Sequence, residues 1–133
     1  MLGKIDEARL KHIKPFAGLA ASERQELARV LDEFSAATGT ALVSRGDYGY
    51  EFMVIEDGTA DVFRDGTRIA TFGPGDFFGE LARVDDDSKR NASVVATSPV
   101  CVLTLSAHYM RVVREHLPGI GDQIDRAIAD RNI

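Results

Sequence analysis

The chain has one cysteine, no tryptophan and three histidines among its 133 residues. A single cysteine excludes an intramolecular disulfide framework and a cysteine-ligated iron–sulfur centre. Cys101 stands in the apolar run 100–103, which predicts a small buried side chain and not a reactive thiol. His12, His108 and His116 fall in regions predicted to be helical, so they do not supply the histidine cluster of a metal-dependent enzyme. We therefore predict no metal site and no enzymatic activity.

Positive charge is also in short supply. Lys and Arg number 16 against 21 Asp and Glu, which gives a net charge of −5 and a pI near 5.1. Binding to nucleic acid depends on clustered basic side chains, so direct nucleic-acid binding is not expected. Residues 1–14 carry charges throughout and lack an apolar run, which excludes a signal peptide or a membrane span there. We expect a cytoplasmic protein with no membrane partner.

Turn signals recur at short, regular spacing through the middle of the chain. Six segments between them have the length and composition of β-strands: 41–44, 51–56, 59–64, 67–72, 92–97 and 100–105. Asp65-Gly66 is a strong hairpin signal between two of them. This array predicts a mainly β fold with flanking helices, in which a β-jelly-roll barrel has helices before it and two helices after it.

The segments that flank the strands have helical patterns. Ser22 and Gln25 resemble a capping box, and apolar residues then repeat at helical spacing at Leu27, Val30, Leu31 and Phe34. Ser106 can cap a helix that reaches about His116, and Leu117-Pro118-Gly119 interrupts it. The expected organisation is a single domain, 1–133, with a helical part at about 1–37, a β-roll at about 38–105 and C-terminal helices at about 106–133.

The most informative stretch is Phe-Gly-Pro-Gly-Asp-Phe-Phe-Gly-Glu-Leu-Ala at 72–82, with Arg90 downstream. Glycines allow a ligand close to the backbone, and a helical turn starting near Gly79 would aim free amides at an anion. The guanidinium of Arg90 can give two parallel hydrogen bonds to a phosphate. Glu80 would repel phosphate, so its carboxylate fits best as an acceptor for a sugar hydroxyl. The alternative, a plain surface ion pair between Glu80 and Arg90, explains less of the pattern.

These residues stand in a longer series of matching positions: 16–31, 45–47, 52–55, 57–58 and 90–94. In that order they resemble the cyclic nucleotide-binding domain family, which includes the catabolite activator protein and the regulatory subunits of cyclic-nucleotide-dependent kinases. The resemblance covers most of the chain. It implies a regulatory sensor that binds a 3′,5′-cyclic nucleotide, cyclic AMP on family frequency and otherwise cyclic GMP, with no further cofactor.

The resemblance also implies roles for individual residues. Arg90 would pair with the exocyclic oxygens of the cyclic phosphate, while Glu80 would hold the ribose 2′-hydroxyl. Backbone amides of Gly79 and Ala82, with Asn91, would add hydrogen-bond donors. The complete set of expected ligand-binding residues is Gly79, Glu80, Leu81, Ala82, Arg90, Asn91 and Ala92. Three features depart from the family's pattern, namely Arg83, the acidic run 85–87, and Lys89 where many relatives have proline.

The output of such a sensor is left open by the sequence. In the family the last helix covers the base and reports occupancy, and here its apolar stripe is Ile120, Ile124 and Ile128. The stripe also fits packing on the barrel or a homodimer seam. An unidentified effector protein or domain is the expected partner. The alternative function is a ligand-free domain of the same fold that serves as a protein interaction module.

Overall fold

The computed structural model describes residues 5–43, 51–78 and 93–122. The chain separates into two compact units, a β unit at Asp32–Ser106 and a helical unit formed by Met1–Leu31 with Ala107–Ile133. Within the described ranges, no helix is both long and apolar enough to cross a membrane. The predicted organisation as a single domain stays a prediction.

The described residues of the β unit form two four-stranded antiparallel sheets. Its described strands are β1 Asp32–Ala36, β2 Ala41–Val43, β3 Glu51–Asp57, β4 Ala60–Arg64, β5 Thr67–Phe72, β6 Phe77–Phe78, β7 Ser93–Ala96 and β8 Val100–Ser106. Sheet I has the order β1-β8-β3-β6, and sheet II has the order β2-β7-β4-β5. The mainly β class with helices at both ends of the chain is confirmed. The hairpin is confirmed as well, because Arg64 pairs with Thr67 across Asp65 and Gly66, which both have positive φ.

Apolar side chains of both sheets form the core of the β unit. Fully buried positions include Val54 and Ile55 of β3, Val62 of β4, and Val102 and Leu103 of β8. Burial on both faces of β8 explains why its apolar residues run consecutively instead of alternating with polar ones. The core therefore lies along the central strands of the two sheets.

The helical unit contains α1 Glu7–Leu10, a short 3₁₀ helix at Lys14–Phe16, α2 Ala21–Val30 and α3 Ala107–His116. The predicted capping of α2 by Ser22 is wrong. The helix begins earlier, and the N–H of Ala20 donates to the carboxylate of Glu23 at 3.0 Å. This is the reciprocal half of a capping box, which needs only a carboxylate at the third helical position.

The predicted helical part up to residue 37 also needs correction. Helix α2 ends at Val30, and Leu31 is already extended with ψ of 142°. Phe34 lies in β1, where it pairs with Val102 of β8. Its helical spacing from Leu27 and Leu31 is coincidental, since pairing with a distant strand decides the conformation of this segment.

The expected end of the helix after the β-roll is confirmed. Helix α3 follows Ser106 directly and ends at His116. Leu117 is not helical, and a further helix starts at 118, with its described part reaching 122. Ile120, the first member of the apolar stripe, is fully buried. Ile124 and Ile128 lie outside the described residues.

One buried ion pair joins α1 to α2. Arg24 is 8% exposed, and its Nε donates to the Glu7 carboxylate at 2.7 Å. A second guanidinium N–H donates to the backbone carbonyl of Leu19. Because both groups satisfy the buried guanidinium, Arg24 fixes the N-terminal helices to each other.

Candidate functional site

The structure describes the two ends of the candidate site. All seven expected ligand-binding residues, from Gly79 to Ala82 and from Arg90 to Ala92, lie outside the described residues, as do Arg83, Lys89 and the run 85–87. The chain enters this segment from Phe78 at the end of β6 and leaves it at Ser93, where β7 begins. The segment 79–92 therefore connects sheet I to sheet II.

The entrance is preceded by a tight turn at 73–76. Pro74 and Gly75 occupy its central positions, and Gly75 has a φ of +91°. This is the arrangement of a type II turn, which requires glycine at its third position. The N–H of Asp76 donates to the carbonyl of Gly73 at 3.0 Å, and the Gly73 N–H donates to the Asp76 carboxylate at 2.7 Å. The turn is thus closed by one backbone bond and one side-chain bond.

The same turn is bonded to the central strand β3. The Gly75 N–H donates to the carbonyl of Ile55 at 2.8 Å, and the Ile55 N–H donates to the carbonyl of Asp76 at 2.9 Å. Ile55 is fully buried, so the two bonds attach the turn to the core of the β unit. The direction in which the chain leaves the turn is therefore set by β3.

Two aromatic pairs hold β6 itself. Phe77 packs against Phe52 with ring centroids 5.4 Å apart, and Phe78 stacks on Phe72 at 5.6 Å. All four rings are buried. Burial of such rings and their offset contact stabilise the last two residues before Gly79. A strand of only two residues would otherwise be held by few hydrogen bonds.

The exit from the segment is fixed by β7. This strand pairs with β4, where Ser93 lies opposite Phe63, and with β2, where Val94 lies opposite Val43. Val94 and Ala96 are buried. Arg90 is three residues before Ser93, so the guanidinium expected to bind phosphate is attached close to a strand paired on both sides. Both halves of the candidate site therefore start from well-anchored strands.

Cys101 is not the buried apolar thiol that the sequence predicted. It is half-buried on β8, and its Sγ lies 3.4 Å from a Glu33 oxygen on β1 and 3.3 Å from a Glu56 oxygen on β3. A register shift between Ile55 and Asp57 places Glu56 as the extra residue of a bulge, which turns its side chain toward Cys101.

The environment of this thiol opposes its ionisation. Burial, followed by its hydrogen bonds to Glu56 and Glu33 and by their negative charges, raises the pKa of Cys101 from 9.0 to about 12. The three groups are the only described residues whose ligand atoms are grouped closely enough to hold a metal, within 4.8 Å of one another. Donation of the S–H to a carboxylate explains the grouping, and we assign no ion to it.

A family comparison relates this arrangement to known proteins. Residues 33–116 match the model of the cyclic nucleotide-binding domain, a span that runs from β1 to the end of α3 and includes the whole segment 79–92. The chain belongs to the cyclic nucleotide-binding domain family. The resemblance to this family, inferred from the sequence motifs, is therefore confirmed.

Curated relatives of the domain are regulatory subunits of kinases. The cAMP-dependent protein kinase regulatory subunit of Hypocrea atroviridis is 36% identical over 96 residues, which cover 72% of this chain and 21% of that protein. The Aspergillus niger protein of the same name is 37% identical over 101 residues, covering 74% of this chain and 24% of that protein. The chain thus spans about a fifth to a quarter of the relatives it matches.

Solved structures of the family have the same fold. The structure described as cAMP-bound PfPKA-R (141–441) has a TM-score of 0.79 and 27% identity, covering 93% of this chain and 43% of that one. The catabolite activator protein of Thermus thermophilus has a TM-score of 0.79 and 26% identity, covering 88% of this chain and 57% of that one. These similarities confirm the predicted fold class.

Sequence reasoning missed two features of sheet I. Strand β6 was not expected, because two phenylalanines between Asp76 and Gly79 are too short a run to signal a strand. The contact of Cys101 with Glu33 and Glu56 was also missed, since the three residues are far apart in the chain and only the pairing of β1, β8 and β3 brings them together. A single sequence contains no signal for that contact.

Proposed function

We propose that this domain binds a 3′,5′-cyclic nucleotide, with cyclic AMP as the expected ligand, and acts as a regulatory sensor. The observation that carries the proposal is the family match over 33–116, which includes Gly79, Glu80 and Arg90. The names of the curated relatives and the bound cAMP of one similar structure support cyclic AMP over cyclic GMP. The anchored strands on either side of 79–92 support a preorganised site.

The proposed chemistry divides the ligand between two kinds of group. The Arg90 guanidinium, with amides of Gly79 and Ala82 and the side chain of Asn91, neutralises and binds the cyclic phosphate. Glu80 accepts a hydrogen bond from the ribose 2′-hydroxyl, while Leu81 and Ala92 complete the wall of the site. The positive charge of Arg90 offsets the repulsion between the Glu80 carboxylate and the phosphate. Together, Arg90 and Glu80 select a ligand that has both a phosphate and a ribose.

Occupancy is proposed to be passed on through the C-terminal helices. Helix α3 continues directly from β8, the strand of sheet I that pairs with both β1 and β3. The break at Leu117 separates α3 from the helix that starts at 118. Binding would shift an existing equilibrium of these helices, which requires the ligand to prefer one arrangement by a few kcal/mol. An effector protein or domain would read that shift.

The first experiment is calorimetric titration of nucleotide-free protein with cyclic AMP and cyclic GMP. Saturable binding by the wild type is expected, with Arg90→Ala weakening it by about 100-fold or more because a bound anion loses its counter-charge. Arg29→Ala, which removes an arginine from the exposed surface of α2, is the matched control and should bind like wild type. No heat from folded, empty wild-type protein would contradict the proposal and favour an interaction module.

A second experiment tests the sensor role separately. Amide hydrogen exchange of residues 107–122 is compared with and without saturating cyclic AMP. Altered exchange in α3 or after Leu117 is expected, since a ligand that shifts populations changes how often these helices open. Identical exchange in both states, with binding shown by calorimetry, would mean that the domain binds its ligand without reporting it through these helices.

A further inference from the structure

The carboxylate of Asp76 helps to close the turn that precedes β6. Its 2.7 Å bond from the Gly73 N–H closes the 73–76 turn together with the backbone bond from the Asp76 N–H to the Gly73 carbonyl. A bond from an N–H to a charged carboxylate is shorter and stronger than one between neutral groups. Asp76 is exposed, so this bond contributes little to the core and acts mainly on the turn itself.

The turn lies directly before β6 and therefore before the start of the candidate site. Asp76 is bonded through its carbonyl to Ile55, and the next two residues are the whole of β6. Gly79 follows immediately. Because β6 has only two residues, its short pairing with β3, the turn and the two aromatic pairs together hold the chain before Gly79. Loosening the turn therefore increases the range of positions from which the ligand-binding segment starts.

We infer that Asp76 is a positioning residue for nucleotide binding, acting through the turn and β6 without touching the ligand. The inference rests on the proposed function. Apparent affinity falls in proportion to the fraction of molecules whose site is arranged for binding. Removing the Asp76 carboxylate lowers that fraction locally, while the buried rings of Phe72 and Phe78 keep the β unit folded.

The Asp76 carboxylate could affect binding in two ways, by repelling the phosphate or by closing the turn, and substitutions distinguish them. If its charge acted directly on the anion, both Asp76→Ala and Asp76→Asn would tighten binding, since both remove the negative charge. If it acts by closing the turn, Asp76→Asn retains an oxygen that accepts from the Gly73 N–H, and only Asp76→Ala loses the bond. The two substitutions therefore separate positioning from electrostatics.

The test measures the dissociation constant for cyclic AMP by calorimetry in wild type, Asp76→Ala and Asp76→Asn. We expect a five- to tenfold weaker affinity in Asp76→Ala, roughly the effect of one charge-assisted hydrogen bond, and a change of about twofold or less in Asp76→Asn. The matched control is Asp61→Ala on sheet II, which removes a carboxylate that accepts from the Thr71 hydroxyl at 2.9 Å. It should bind like wild type.

A second readout follows the turn directly. Amide exchange at Gly75 and Ile55, whose N–H groups hold the turn to β3, should speed up in Asp76→Ala and stay near the wild-type rate in Asp76→Asn. Thermal unfolding confirms that each variant is folded at the temperature of the titration. Faster exchange together with weaker binding is the expected result.

The outcomes separate this inference from the proposed function. No binding by wild type overturns both. Binding by wild type with unchanged affinity in Asp76→Ala overturns the positioning role and leaves the proposed function intact. An equal loss in Asp61→Ala would show general destabilisation, and tighter binding in both Asp76 variants would show direct repulsion; either result overturns the inference.

Discussion

The two sheets of the β unit differ in one respect: sheet II has one pair of consecutive strands among its three described pairs, and sheet I has none. In sheet II, β4 and β5 are consecutive and are joined by the two-residue turn at Asp65 and Gly66. In sheet I the described pairs are β1 with β8, β8 with β3 and β3 with β6, and none joins consecutive strands. Local pairing costs little loop-closure entropy, whereas distant pairing must be stabilised by the core. Sheet I, which leads into the candidate site, therefore depends on contacts made across the whole unit.

Two glycines with positive φ show the same contrast at the level of single residues. Gly66, in the hairpin of sheet II, has a φ of +78°, and a Cβ there would meet no atom within 4 Å. Gly58 joins β3 of sheet I to β4 of sheet II with a φ of +95°. A Cβ at Gly58 would lie 2.3 Å from the carbonyl oxygen of Pro99 and 2.7 Å from a methyl of Val100. Glycine is thus needed at 58 because neighbouring atoms leave no room for a Cβ, and at 66 only because the backbone φ is positive.

The largest expected effect is that of Gly58→Ala. A left-handed conformation costs an alanine about 1–2 kcal/mol, and the overlap with the Pro99 backbone adds to it because backbone cannot move aside cheaply. We expect the free energy of unfolding, measured by urea titration, to fall by about 3 kcal/mol or more. A loss below about 1 kcal/mol would mean that the connection between the sheets relaxes freely, and the contrast with Gly66 would disappear.

The matched change Gly66→Ala is expected to have a smaller effect. Only the cost of placing an alanine in the left-handed conformation remains, so the free energy of unfolding should fall by about 1–2 kcal/mol. Asparagine adopts this conformation more readily than alanine, so Gly66→Asn should recover part of the loss. The same urea titration measures both variants. Equal losses in Gly66→Ala and Gly58→Ala would contradict the division into a local turn and a crowded connection.

The contrast also explains which parts of the fold were predictable from the sequence. The hairpin was predicted because Asp65-Gly66 acts on its own two flanking strands. Helix α3 was predicted because its limits are local features, the serine before Ala107 and the proline after Leu117. Strand β1 was taken for helix because its pairing with β8, which residue-level patterns do not reveal, determines its conformation. Sheet I contains both misassigned strands, β1 and β6.

The candidate site was likewise predictable only in part. The types of residue at Gly79, Glu80 and Arg90 identified the family, because phosphate and ribose demand a recognisable set of groups. Their exact arrangement is still a prediction, since these residues lie outside the described ranges. The structure adds the anchoring of Phe78 and Ser93, which no motif indicates. It also adds a candidate role for Asp76, which the sequence presents only as part of a turn.

At neutral pH the smallest expected effect on stability is that of the ionisation of Cys101, where three strands of sheet I meet. Its Sγ bonds to Glu56 across 45 positions of sequence, so the thiol reports the distant pairing of β8 with β3. Because the pKa is raised from 9.0 to about 12, the folded state holds this proton more tightly than the unfolded state does. The stabilising contribution is therefore complete below pH 9 and is lost as the pH rises from 9 toward 12.

Thiol reactivity measures this arrangement without unfolding the protein. At pH 8 the folded wild type should react with iodoacetamide roughly 100-fold or more slowly than the urea-unfolded chain, because the thiolate is the reactive form. Glu56→Gln removes one negative charge and lowers the pKa, so its rate at pH 8 should rise several-fold, while Glu26→Gln on the exposed face of α2 should leave the rate unchanged. A rate in Glu56→Gln equal to that of wild type would show that burial and Glu33 suppress the thiolate without Glu56. The electrostatic contact between β8 and β3 would then be absent from sheet I.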